Sequence, residues 1–176
     1  MPEQIDLEQY FDQFASASAL AEASSFPTVS TGAYRLQVMK YDGKQFEWDT
    51  RPFAHLTVAV QDDSGTRKMA TVFTDVTWLE GRGNDGKLDR GFKLWNQLTR
   101  ALYPEMTAEE RSQKDVGTVL NDAKSYPVSG FVTEKFQVEM EGKKRWVTAK
   151  TTDEAASYRS QGARVGNFVA NFAPLR

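Results

Sequence analysis

Between Gly32 and Leu79 the apolar residues recur at every second position, in three stretches separated by turn-forming residues. That period sends alternate side chains to opposite faces of an extended chain, so each stretch predicts a strand. In "GAYRLQVMKY", Tyr34, Leu36 and Val38 share one face, and Arg35, Gln37, Met39 and Tyr41 the other. In "FAHLTVAV", Ala54, Leu56, Val58 and Val60 oppose Phe53, His55 and Thr57. In "RKMATVFTDVTWL", Ala70, Val72 and Thr74 oppose Met69, Thr71 and Phe73. "YDGKQFEWDTRP" and "DDSG" supply the intervening turns. Each strand thus has a small-aliphatic face and a face mixing aromatic, basic and polar groups.

The period then changes. "EGRGNDGKLDRG", with four glycines, predicts a loop. "FKLWNQLTRALYP" predicts a helix whose stripe is Leu94, Trp95, Leu98, Ala101 and Leu102, ended by Pro104. Thr107 and Glu110 have the spacing of a capping box, so a short helix starts there. "VGTVLNDAKSYP" leads, without an assigned element, into "FQVEMEGKKRWVTAK", read as two strands about a Glu141-Gly142 turn. "TTDEAASYRSQGARVGNFVANF" holds a short helix and a terminal extended piece. Three strands, a helical insert and further strands predict a mainly β domain over residues 32–176. The expected architecture is a five-stranded barrel of the oligonucleotide-binding (OB) type, the insert lying between strands 3 and 4. An open β-sandwich is the alternative.

Residues 1–31 form an acidic leader. Glu3, Asp6, Glu8, Asp12 and Glu22 stand there with no lysine or arginine, leaving 22 basic and 19 acidic side chains in the rest. "IDLEQYFDQF" has helical spacing, and "ASASALAEASS" reads as a tether. The N-terminus lacks the basic-then-apolar order of a signal peptide. No apolar run approaches the ~20 residues of a membrane span. The chain has no cysteine, which excludes disulfides and thiolate chemistry and suits a cytoplasmic setting.

The residue types argue against an enzyme. His55 is the single histidine, so no two-histidine metal site forms within one chain. No G-x-S-x-G accompanies it, and "GRGNDG" does not end in the Gly-Lys-Ser/Thr of a phosphate loop. The acids of "QDDSG" and "NDGKLD" lack calcium-loop spacing. The expectation is no metal, no cofactor and no catalysis.

The aromatic and basic residues fit single-stranded nucleic acid, which is held by stacking on rings and by cations along the phosphates. The candidate set is Arg35, Tyr41, Trp48, Phe53, Phe73, Lys143, Lys144, Arg145, Trp146 and Lys150. The hairpin tip "KKRW" would close over a bound strand. Ordinary packing is the competing account: Phe53 and Phe73 against a helix, Trp146 across the hairpin against Phe136, the basic tip as protection of an edge. An interface for a protein partner, as in a virion component or an inhibitor of a host enzyme, would also enrich Tyr, Trp and Arg.

Taken together, "TGAYRLQVMKYD", "FAHLTVAVQDDSGTRKMATVFTDVTW", "GFKLWNQLTRAL" and "YPVSGFVTEKFQVEMEGKKRWVTAK" resemble phage-encoded single-stranded-DNA-binding proteins of the OB type, over about Ser30 to Lys150. The resemblance rests on element order. It implies a protein that coats unwound DNA in replication or recombination, in the host cytoplasm, with no membrane and with an oligomer allowed. Many such proteins end in an acidic tail that recruits partners. This chain ends "NFVANFAPLR", so the acidic leader is the segment expected to dock replication or recombination proteins or to occupy the basic groove.

Overall fold

The computed structural model describes residues 27–45, 50–81 and 89–175. The expected leader helix, Trp48 and most of the glycine-rich loop lie outside them. Among the described residues there are six strands: β1 (Gly32–Gln45), β2 (Pro52–Gln61), β3 (Lys68–Val76), β4 (Val128–Met140), β5 (Lys143–Val147) and β6 (Arg164–Ala173). Between β3 and β4 lie α1 (Arg90–Leu102), α2 (Ala108–Ser112) and α3 (Val116–Ser125), and α4 (Thr152–Ser160) connects β5 to β6. The chain is therefore mixed α/β, mostly strands, with the helical insert where the element order placed it.

Two expectations are corrected. The sheet has six strands, not five, and it is not closed into a barrel. All its pairings are antiparallel, in the order β3-β2-β1-β4. β1 pairs with the first part of β4, at Val128 to Val132, and β5 with its last part, at Phe136 to Met140. β6 runs along the other edge, from Ser129 to Gln137. β3 and β6 lie near each other, but no ladder joins them among the described residues. A helix bridges the two strands instead. α1 packs on both β3 and β6, and its Gly91 carbonyl accepts the Thr77 N–H at 3.3 Å while its Gln97 side chain accepts the Phe172 N–H at 3.2 Å.

The core lies between the aliphatic face of the sheet and the helices. Leu36, Val38, Leu56, Val58, Val60, Val72 and Val76 meet Leu94, Trp95, Leu98, Val119 and Leu120 there. Leu98 is wholly buried, and its truncation to alanine removes contacts worth about 2–5 kcal/mol. Asp89 caps α1 by accepting the Phe92 N–H at 2.9 Å. Thr107 caps α2 as expected, accepting the Glu110 N–H at 3.2 Å, while its hydroxyl donates to the same residue's carboxylate. α3 was not expected. Asp115 caps it, and Val119, Leu120 and Ala123 are its buried stripe.

Two backbone details redirect side chains. Met39 is an extra residue: Val38 pairs with Val58 but Lys40 with Thr57. Such a bulge reverses the alternation beyond it. Tyr41, expected on the outer face with Arg35, therefore pairs with Leu56 and packs against the core. The hairpin tip has Glu141 at φ 52° and Gly142 at φ 76°, the left-handed pair that a two-residue turn between twisted strands requires.

Candidate functional site

The gap between β3 and β6 is a furrow. Two cavities lie along it, of about 390 Å³ and about 240 Å³. Phe73 and Lys135 line both, so the two adjoin. Arg51, Phe53, Asp75, Asp89, Arg90 and Phe168 complete most of the wall of the larger one. Pro27, Thr28, Trp146, Arg164 and Gly166 belong to the smaller.

Strand register explains how these side chains meet. On β4 Lys135 pairs with Gly166 of β6, and Gln137 pairs with Arg164 on one side and Trp146 on the other. Lys135, Trp146 and Arg164 thus share a face. Gly166 makes their approach possible: a Cβ there would sit 3.1 Å from Lys135 Cε and 3.2 Å from the Trp146 ring. Lys135 Nζ rests 4.6 Å from the Trp146 ring centroid, and Arg90 Cζ 4.5 Å from that of Phe168. Across the gap, Phe73 is 53% exposed, and one side of its ring is covered by His55, stacked at 5.6 Å and 8°.

The charges in the furrow are unevenly satisfied. Asp89 holds Arg51 at 2.5 Å as well as capping α1, and Asp75 holds His55 Nδ1 at 2.7 Å. Arg90 and Lys135 have no carboxylate partner among the described residues; Arg90 donates to the Val169 carbonyl. Burial pushes the Lys135 ammonium below its usual range, and the nearby Arg90 charge adds to that; burial likewise lowers Arg90.

Of the residues singled out from the sequence, Phe53, Phe73 and Trp146 line the furrow. Phe53 is only 6% exposed and forms wall more than platform. Trp146 does not pack across the hairpin on Phe136, which pairs with Val147 and instead meets Tyr158 of α4. Lys143, Lys144 and Arg145 are exposed at the tip, beyond the cavities. Lys150 is exposed just before α4, where its N–H donates to Glu154 at 3.1 Å. Arg35 lines neither cavity; its Nε donates to Gln61 at 3.3 Å, and Gly65 lies against its guanidinium. Tyr41 donates to Asn121 at 3.0 Å, away from the furrow. Trp48 falls outside the described residues. The sequence reading missed Arg90, Lys135 and Phe168 and left Arg164 unassigned. The alternation Arg164, Gly166, Phe168 was available as a signal, but nothing local says that it faces β3.

The outer face of β1–β3, expected to be the stacking platform, is different in character. Its centre is His55, paired across the ladders with Asp42 on β1 and Asp75 on β3. Carboxylates there repel a polyanion.

No family model, curated protein or solved structure matches the chain. Among the described residues no three histidine, aspartate or glutamate side chains group as a metal site would require. Nor is any helix there long and apolar enough to cross a membrane.

Proposed function

We propose that this protein binds single-stranded DNA in the cytoplasm, without sequence preference and without catalysis, along the furrow between β3 and β6. One observation carries the reading: exposed rings, Phe73 and Trp146, stand with the cations Arg90, Lys135 and Arg164 along two adjoining cavities. Bases stack on the rings whatever their identity, and the cations follow the phosphates. Of the basic tip, Lys144 shares the face of Trp146 and extends the row, while Lys143 and Arg145 alternate to the other face. The strand sequence around the sheet supports the same reading. β1 between β2 and β4, with β3 and β6 facing each other across a gap, is compatible with a sheet of the OB type left open at one seam. Replication or recombination proteins would be recruited through the acidic leader.

The test is a polarisation titration with labelled oligo-dT across a salt series. The logarithm of affinity should fall linearly with that of salt concentration, at about −0.7 per phosphate contacted. Trp146→Ala should weaken binding by about 1–3 kcal/mol. A flat salt response together with an unaffected Trp146→Ala would overturn the proposal.

A second reading has its own observation. The Asp42–His55–Asp75 row, with Met39 exposed on the same sheet, suits a protein partner better than a polyanion. In that reading the chain is a virion component or an inhibitor of a host enzyme. Substituting Met39 and Asp42, which line neither cavity, would then abolish partner capture while leaving oligo-dT binding unchanged.

A further inference from the structure

The larger cavity contains two acids and three cations, but they do not cancel. Asp89 is used by Arg51 and the α1 cap, and Asp75 by His55. Arg90 and Lys135 remain, two like charges in one half-enclosed space, each braced on a ring and neither with a carboxylate among the described residues. Two like charges held side by side on a part-covered wall repel each other, and an anion seated between them relieves that repulsion. A single phosphodiester carries one negative charge and leaves the second cation uncompensated. A phosphate monoester is close to a dianion at neutral pH and matches the pair. The space is also adequate: about 390 Å³, walled by Phe53, Phe73 and Phe168, lies within the range of small-ligand sites.

We infer that this cavity is a binding site for a phosphomonoester dianion, the phosphorylated end of a DNA strand, seated between Arg90 and Lys135 with its terminal base against Phe73. The site gives the furrow a stop, so the protein registers on a strand end as well as along the strand. As a seat for a DNA end it rests on the strand-binding proposal; as a phosphate site it does not.

The experiment compares oligo-dT carrying a 5′-phosphate, a 3′-phosphate or neither, on the wild-type chain, Lys135→Gln and Lys135→Arg. In parallel, thymidine monophosphate and its phosphate methyl ester are titrated by calorimetry. One phosphorylated oligonucleotide should bind roughly tenfold tighter than the bare one. That ratio should collapse in Lys135→Gln and survive in Lys135→Arg, and the monophosphate should exceed its methyl ester by a similar factor. Which end gains identifies the strand polarity. Equal affinity for all three oligonucleotides, with no preference for the monophosphate over its ester, would overturn the inference and leave strand binding standing. Monophosphate binding without any oligonucleotide binding would keep the site and remove the strand reading. Arg90 is not the test position, because its bond to the Val169 carbonyl ties it to the fold.

Discussion

Phe53 and Phe73 stand on the same face of neighbouring strands, yet 6% of one and 53% of the other is exposed. The difference is position across the sheet. β2 is interior, so Phe53 is covered from both sides, whereas β3 borders the gap. Their substitutions should therefore separate stability from binding. Phe53→Ala is expected to lower unfolding free energy by about 3–5 kcal/mol in a urea titration. Phe73→Ala should shift the urea midpoint little and weaken oligo-dT by about 1–3 kcal/mol. The alternation in "FAHLTVAV" and "KMATVF" was enough to pair these rings on one face. It had no means of ranking their exposure, because that depends on which strand lies at an edge.

At the scale of elements, local chemistry was legible and its interruptions were not. The α1 stripe, the Thr107 cap and the Glu141-Gly142 turn could all be read from a few adjacent residues. The bulge at Met39 could not, since only the partner strand reveals an extra residue, and with it went the placement of Tyr41. α3 was overlooked although Val116, Val119, Leu120 and Ala123 have helical spacing behind the Asp115 cap. α3 is tied to α1 where the Tyr103 hydroxyl donates to Asp122. Burial, and then that acceptor, raise the phenol well above its usual 10.0. The group loses its proton at higher pH when folded than when unfolded, so its contribution is complete below about pH 10 and is lost above it. The urea midpoint of the wild type should thus fall towards that of Tyr103→Phe as pH is raised from 9 to about 11.

For the whole molecule, the decisive juxtaposition joins residues far apart in the chain. Phe73 comes before the helical insert, and Lys135, Trp146 and Arg164 come after it. Periodicity assigns a face to each strand but does not say which strands become neighbours across a gap. The candidate list therefore contained three furrow residues and lacked Arg90, Lys135 and Phe168. The N-terminal side of the body adds a charge effect. Val29 is fixed to β6 by Asn167, which accepts its N–H and donates to its carbonyl, both at 2.9 Å. Pro27 and Thr28 then line the smaller cavity, and the sequence preceding them carries five acids. Removing residues 1–26 should strengthen oligo-dT binding several-fold at low salt, with the two proteins converging near 1 M, where screening shortens to about 3 Å. Identical titrations at low salt would show that the leader does not compete.

The missing ladder between β3 and β6 also has a mechanical meaning. Around the rest of the sheet, moving neighbouring strands apart would sever backbone bonds. Here no inter-strand hydrogen bond joins the two lips among the described residues, and α1, anchored to both at Thr77 and Phe172, serves as the spine of a half-open book. If a strand lies there, the aperture would be set by how far these two anchors yield and not by a ladder, and indifference to base identity would follow from the architecture as much as from the rings.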